Sequence, residues 1–213
     1  MNEIIELILH TDDALLALVS ENVNKAYLIL FLIIMLETGI ILFPFLPGDG
    51  LLFSAGVIAA SSDLNIVILY VLLMIAAISG NLLNYFIGNL FGTGLRQSKN
   101  RFIRKSLIRP LEKTETYYLK HGDRAIVIGR FFPVIRTFIP FFAGVVKMPF
   151  NLFFKYTVVG AFLWITTFLL LGYFLGEIPW VKNNYGLIFL MLITLTLLPF
   201  LATLFRRIFT KTI

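Results

Sequence analysis

Long apolar runs dominate the chain, and two of them continue far enough without a break to be membrane-crossing helices. They cover residues 64–91 and 150–176, and a crossing needs about 20 predominantly apolar residues. A third apolar run, 185–205, has a similar length and carries Pro199. The pattern therefore predicts three transmembrane helices over these ranges.

A different pattern occupies residues 26–60, where proline and glycine interrupt the apolar run. Pro44 and Pro47 break it, Gly48 follows, and a stretch of only ten residues, 51–60, completes it. Because a crossing needs about 20 residues, this second part is too short to cross alone. We predict a re-entrant hairpin over 26–60 that returns to the side from which it entered.

The same broken pattern returns over residues 125–148. Pro133, Pro140 and Gly144 punctuate this apolar run, and a proline inside a helix removes a backbone hydrogen bond and crowds the preceding turn. We therefore predict a second re-entrant hairpin over 125–148.

Two segments have the pattern of helices that lie in the membrane interface. In residues 3–20 the apolar positions fall mostly along one helical face and the four acidic residues lie elsewhere, as in other interfacial helices. Residues 110–121 form the second segment, with Pro110 at a position that favours the first turn of a helix. We expect this second helix to lie within a basic loop, 93–124.

The order of interfacial helix, hairpin and span occurs twice, in opposite orientation, with the first repeat over 1–92 and the second hairpin and span over 125–177. Short matches offset by 88 residues accompany this order: Ala55-Gly56-Val57 with Ala143-Gly144-Val145, and Tyr85-Phe86-Ile87-Gly88 with Tyr173-Phe174-Leu175-Gly176. Inverted repeats whose broken segments meet near the membrane midplane are typical of transporters. We predict an all-α polytopic membrane protein, a single membrane domain over 1–213, in which this inverted repeat is followed by a C-terminal transmembrane helix.

Composition agrees with a membrane protein and excludes several kinds of site. The chain is 59% hydrophobic and 14% charged, with a mean hydropathy of +0.90, whereas soluble domains are about 25% charged. Acidic residues in the first twenty positions argue against a cleaved leader. Cysteine is absent, and His10 and His121 lie in polar flanks. We therefore expect no disulfide, metal site or cofactor.

Basic residues are concentrated in one loop. Residues 96–124 hold nine basic and three acidic residues, whereas the first 25 residues hold five acids and Lys25. Basic loops mark the cytoplasmic side and contact anionic lipid heads, so we favour this interpretation of the pI of 9.6 over nucleic-acid binding. Loop 93–124 and the C-terminus, with Arg206 and Arg207, are expected to be cytoplasmic and the N-terminus outside.

Four ionisable residues fall inside the two predicted hairpins: Glu37, Asp49, Arg130 and Arg136. An arginine at the centre of a membrane helix costs roughly 2.5–3.5 kcal/mol, and ionisable residues at this depth usually serve a pathway or a substrate site. The planar guanidinium suits phosphate or carboxylate, which predicts substrate binding by the two arginines. A carboxyl in apolar surroundings favours its neutral form and can take up a proton, which predicts proton coupling or gating by the two acids. The alternative is two buried ion pairs that lock the hairpins together.

Polar and backbone-breaking residues near these charges are candidates for lining the same cavity. Broken helices expose free N–H groups that attract anions, and the breaks lie at Pro47, Gly48, Pro133 and Pro140. Asn81 and Asn84 are further candidates, although hydrogen bonding between helices is the favoured explanation for their presence.

These features together resemble the bacterial DedA family, which shares its core domain with the eukaryotic VTT, or SNARE-associated, membrane proteins. The resemblance covers roughly residues 30–178. It is carried by the following residues in order: Glu37, Phe43-Pro44-Phe45-Leu46-Pro47-Gly48-Asp49, His121-Gly122, Gly129-Arg130-Phe131, Pro133, Arg136 to Pro140, Ala143-Gly144, Gly160-Ala161, Trp164 and Gly172-Tyr173.

The resemblance implies two opposed re-entrant hairpins and the movement of lipids such as undecaprenyl phosphate or phosphatidylethanolamine across the bilayer. The family's functional acids and arginines would fall on Glu37, Asp49, Arg130 and Arg136. Many members carry an additional acid and arginine where this chain has Asn81 and Asn89, so a mechanism that needs that extra charge pair is in doubt here.

Three functions compete at this stage, and none of them is enzymatic. The favoured one is a flippase for an anionic polyprenyl or phospholipid head group in the inner (cytoplasmic) membrane. A proton-coupled antiporter of small cations or drugs would instead bind its substrate through the acids. A non-transporting scaffold would recruit partners through the basic loop. The sequence leaves the oligomeric state open, with a homo-oligomer among the options.

Overall fold

The structure is a computed structural model, and it describes residues 19–40, 48–96, 108–176 and 178. Within these ranges the chain is helical and holds no strand. The predicted helices 3–20 and 185–205, residues 97–107 of the basic loop, and Pro44 and Pro47 lie largely or wholly outside them. The helices are α1 (Val23–Gly39), α2 (Gly48–Ala59), α3 (Ile66–Arg96), α4 (Arg109–His121), α5 (Ala125–Ile128), α6 (Pro133–Val145) and α7 (Phe150–Gly176).

Helices α3 and α7 correspond to the two predicted spans. Their apolar parts cover 26 and 27 residues, and only 33% of the most apolar window of each is buried inside the protein. Large apolar side chains such as Leu90 and Phe174 are therefore exposed along their outer faces. An apolar face of this extent is suited to lipid and not to water. The two helices are thus long and apolar enough to cross a membrane.

The two short apolar helices are enclosed by the rest of the protein. Every residue of α2 is buried, and so is every residue of α6 from position 136 to 145. Helix α2 has 12 residues and α6 has 13, so neither reaches the length of a crossing. Burial removes their backbone from lipid, which is the condition under which short or broken helices are tolerated at membrane depth.

The break in the second predicted hairpin lies before α6. A single turn of 3-10 helix, Gly129–Phe131, follows α5, Phe132 is extended, and Pro133 opens α6, where proline is favoured because its missing N–H has no helical partner. Pro140 and Gly144, which the sequence pattern treats as interruptions, lie inside α6 and do not end it. Membrane helices tolerate such a proline because neighbouring groups stabilise the freed backbone.

The described residues form two compact units. The first contains residues up to Ala26, α2 with the start of α3 as far as Leu69, and α7 from Thr167. The second contains the rest of α1 from Tyr27, and residues Tyr70–Thr166 apart from the undescribed loop segment. Each unit has its own crossing between a short and a long helix.

In the first unit, α2 crosses α7 at two glycines. A Cβ atom at Gly56 would overlap the carbonyl oxygen of Leu169, and one at Gly172 would overlap that of Phe53. Only glycine permits so close an approach of two backbones, as in other small-residue contacts between membrane helices.

The second unit repeats this crossing between α6 and α3. Here Gly144 faces the carbonyl oxygen of Tyr85, and Gly88 faces that of Phe141. The short-helix glycines of the two crossings are 88 residues apart, as the sequence matches suggest, but the long-helix glycines are Gly88 and Gly172, which are 84 apart. A shift of four residues is about one helical turn and keeps the same face of the helix in contact.

Candidate functional site

A buried ion pair joins α1 to α6 in the second unit. The carboxylate oxygen Oε1 of Glu37, near the end of α1, accepts a hydrogen bond from Nη2 of Arg136. Both side chains are buried. Arg136 lies in the first turn of α6, where its own N–H donates to the carbonyl of Phe132 at 2.9 Å. The extended residue before Pro133 therefore sets the position from which Arg136 reaches Glu37.

Trp164 of α7 is a second neighbour of the Arg136 guanidinium. The guanidinium carbon of Arg136 lies 5.2 Å from the centroid of the Trp164 ring, within the distance of a cation–π interaction. Trp164 is fully buried. A carboxylate and an aromatic ring thus hold Arg136 between three helices.

Asn84 of α3 links the backbones beside the ion pair. Its Nδ2 donates to the carbonyl of Thr38 at 3.3 Å and to that of Thr137 at 2.7 Å, the residues that follow Glu37 and Arg136. This geometry supports hydrogen bonding between helices as the role of Asn84. Asn81 is buried one turn earlier on α3.

Helix α1 approaches α3 closely at this level. A Cβ atom at Gly80 would overlap the hydroxyl of Thr38, and one at Gly39 would lie 3.2 Å from the Cα of Gly80. The two glycines therefore let the end of α1, which carries Glu37, lie directly against α3.

Arg130 occupies the 3-10 turn before the break and is only 4% exposed. Its side chain lies over Gly160 of α7, with Cδ and Nε 3.0 and 3.1 Å from the position of a Cβ at that glycine. Its Nε and Nη2 have no hydrogen-bond partner among the described residues. The positive charge of Arg136 also repels the guanidinium of Arg130.

The buried charges of the second unit do not cancel. Among its described residues, the buried side chains that are charged at neutral pH are two arginines, Arg130 and Arg136, and one acid, Glu37. Arginine keeps its proton under all ordinary conditions, so one positive charge is left over. Such an arrangement favours an anion at this place.

The sequence grouped Asp49 with these three residues, but the structure assigns it to the first unit. Asp49 lies in the first turn of α2 and is buried, as is Gly48 beside it. A carboxylate in the first turn of a helix is stabilised by the helix dipole. Pro47 lies outside the described residues, Pro133 begins α6, and Pro140 is buried inside it.

One residue of α7, Thr157, was missed by the sequence analysis, and two others, Gly160 and Trp164, were noticed only as part of a resemblance. Thr157 is fully buried and its hydroxyl has no hydrogen-bond partner in the described part of the chain. Gly160 lies one turn further on, and Trp164 one turn beyond that. Their spacing of three and four residues places them on one face of a helix, which is a signal that the sequence contained. No group of His, Asp or Glu in the described ranges could hold a metal ion.

Comparison with known proteins places the chain in a class and then in a family. Residues 46–174 match the VTT domain, which defines a class of membrane proteins. At 44% identity to Protein DedA of Escherichia coli K12 over 96% of its own length, the chain belongs to the DedA family of this class.

Several curated proteins are similar to this chain over most of its length. The chain is 44% identical over 207 residues to Protein DedA of Escherichia coli K12, covering 96% of this chain and 93% of that protein. An uncharacterized membrane protein of Mycobacterium tuberculosis is 36% identical over 180 residues, with coverage of 83% and 78%. The inner membrane protein YghB of E. coli is 29% identical over 187 residues, with coverage of 86% and 84%. No solved structure shows significant similarity to the chain.

Proposed function

We propose that this protein is a membrane transporter that moves a lipid with an anionic phosphate head group between the leaflets of the cytoplasmic membrane. Undecaprenyl phosphate is the favoured substrate, and phosphatidylethanolamine is another lipid with the required phosphate. The observation that carries the proposal is Arg130, a buried guanidinium with two donors that have no partner among the described residues, near a second buried arginine. Leaving a charge in this state is costly, and a phosphate would remove the cost.

The two helix crossings support a transporter built as an inverted repeat. Each unit crosses a short buried helix over a long one at paired glycines. Two re-entrant hairpins that enter from opposite sides would generate such a pair of crossings. In this topology the basic loop 93–124 and the C-terminus are cytoplasmic and the N-terminus is outside, in agreement with the distribution of basic residues.

Glu37 would couple transport to protons through its ion pair with Arg136. While Glu37 is ionised, it holds the guanidinium. Protonation would weaken this hold and leave Arg136 able to contact a phosphate. Asp49 would gate the other unit, where its surroundings in α2 are equally buried.

The test is lipid movement in vesicles that contain the purified protein and a labelled polyprenyl phosphate. Arg130→Met should reduce the rate at least about tenfold, because hydrogen bonds to a charged group contribute about 1.5–3 kcal/mol. Thermal stability should not fall, since this charge has no partner to lose among the described residues. Lys155→Gln, which removes an exposed positive charge from α7, is the matched control and should transport normally. Absence of transport of any phosphate lipid by the unmodified protein would refute the proposal.

A proton-coupled antiporter of small cations or drugs is the second candidate, favoured by the complete burial of Glu37. In that mechanism the acid binds the substrate and the arginines only adjust its charge. Flux driven by a pH gradient would then survive Arg130→Lys and vanish with Glu37→Gln. Phosphate-lipid transport that depends on Arg130 would decide against it.

A further inference from the structure

Thr157 differs from two other buried hydroxyl residues in the described ranges. Thr38 donates to the carbonyl of Ile34 at 2.8 Å, and Ser54 donates to that of Gly50 at 2.7 Å, the usual solution for a hydroxyl inside a membrane helix. The hydroxyl of Thr157 makes no such bond, although the residue is 0% exposed. A buried hydroxyl without a partner is costly, so a ligand is the natural partner to consider.

Thr157 lies one helical turn from the place where Arg130 meets α7. Residues three apart on a helix have Cβ atoms about 5–6 Å from each other, and Gly160 is three residues after Thr157. The Cδ and Nε of Arg130 lie 3.0 and 3.1 Å from the Cβ position of that glycine. Gly160 therefore leaves the space in which the arginine lies, one helical turn from the threonine.

The two donors of Arg130 that have no partner in the described part of the chain suit an oxyanion. Nε and Nη2 are the two nitrogens of one edge of the guanidinium, and this edge binds two oxygens of a carboxylate or phosphate at once. A carboxylate has only those two oxygens. A phosphate has a further oxygen, which a hydroxyl approaching from another helix can reach. The combination of one arginine edge and one hydroxyl thus favours phosphate.

We propose that Thr157 and Arg130 together form a subsite for one phosphate group, with the Thr157 hydroxyl and the Nε and Nη2 of Arg130 as the three donors. This inference rests on the proposed function and specifies how the head group is held. Arg136, which lies in the ion pair with Glu37 and beside Trp164, is not one of these three donors. Gly160 is a positioning residue, since it does not touch the phosphate.

The experiment measures binding to the purified full chain in detergent. The probes are a short-chain polyprenyl phosphate, the uncharged polyprenol of equal length, phosphatidylethanolamine and inorganic phosphate. Thr157→Val removes the hydroxyl at nearly constant volume and should weaken polyprenyl phosphate binding about tenfold, the loss of one hydrogen bond to a charged group. Polyprenol binding should not change, and Thr157→Ser should retain most of the affinity.

Thr166→Val is the matched control on the same helix. Its hydroxyl is bonded to that of Tyr70 at 2.8 Å, so its loss should not affect phosphate binding. Thr157→Ala gives a second hydroxyl-free variant, and it must show the same selective loss as the valine variant. Without ligand, the valine variant should unfold at the same or a higher temperature, because an unpartnered polar group has been removed.

The source of the phosphate follows from competition. If inorganic phosphate displaces the lipid, the subsite binds phosphate independently of a chain; if only the lipids compete, the head group needs its chain. Both results support the subsite provided that Thr157→Val weakens the binding that is seen. Wild-type affinity of Thr157→Val, together with loss in Arg130→Met, would overturn the subsite and leave the proposed function standing. Absence of binding and of transport in the unmodified protein would overturn both.

Discussion

The buried pair of Glu37 and Arg136 allows the sharpest separation of a structural role from a transport role. Their side chains are 0% and 5% exposed, so each charge depends on the other in a low dielectric. Removing one partner of a buried pair destabilises a protein by about 3–5 kcal/mol. For Glu37→Gln we expect the lower end, about 3 kcal/mol, because the amide oxygen still accepts a hydrogen bond and Trp164 still faces the arginine.

The informative variant is the exchange Glu37→Arg with Arg136→Glu. It restores opposite charges at the two positions and should recover part of the stability lost in Glu37→Gln. A pair that only locks α1 to α6 would also recover function on exchange. In the proposed transporter, however, the exchange puts an acid where Arg136 contacts phosphate, and transport should stay at background.

Two assays are needed on the same preparations. Thermal unfolding in detergent should show a loss of about 6–12 °C for Glu37→Gln, from about 2–4 °C per kcal/mol for a chain of this size. Vesicle assays then measure transport of the labelled phosphate lipid. Recovery of transport in the exchanged variant would refute a phosphate role for Arg136. Unchanged unfolding of Glu37→Gln would refute the estimate for the pair itself.

Two further predictions concern packing and a lone hydroxyl. Gly88→Ala places a methyl group on the carbonyl oxygen of Phe141 and should lower the free energy of unfolding by about 1–3 kcal/mol. Gly94→Ala on the same helix is the control: its methyl group meets no atom within 4 Å, so this change should be neutral or stabilising. Tyr117→Phe removes a buried hydroxyl that has no partner in the described ranges. Burial raises the pKa of this phenol, so the hydroxyl is neutral at pH 7. Its removal should therefore leave the stability of the protein equal or slightly higher.

Thermal unfolding of the four proteins, including wild type, checks both predictions. Equal destabilisation by the two alanine variants would show that the crossing between α6 and α3 is looser than the glycine contacts indicate. A clear drop in stability for Tyr117→Phe would show that the hydroxyl has a partner.

The predicted elements agree with the structure where a single segment decides the outcome. The predicted spans 64–91 and 150–176 became Ile66–Arg96 and Phe150–Gly176, and the predicted interfacial helix 110–121 became Arg109–His121. Apolar length and the position of a proline act locally, so a pattern in the sequence predicts them. Membership of the DedA family was likewise evident from the residues and is confirmed by the comparisons.

The interruption of the second hairpin shows where local patterns fail. Proline is ambiguous, because it opens a helix at its first turn and weakens one in its interior. Pro133 opens α6, whereas Pro140 lies inside α6 and neither breaks nor ends it. Which of the two prolines marks the break depends on the burial of α6, a property of the folded protein.

What the sequence by itself determined is that this is a helical membrane protein with four charges inside its apolar segments, and all four of them, Glu37, Asp49, Arg130 and Arg136, are buried. What only the tertiary structure decided is which of these charged side chains form a pair. Glu37 and Arg136 are 99 residues apart in the chain, yet they pair, whereas Nε and Nη2 of Arg130 have no hydrogen-bond partner among the described residues. Hydrophobicity is a sum over neighbouring residues, whereas an ion pair requires two distant segments to meet within a few ångströms, and only packing fixes such a distance.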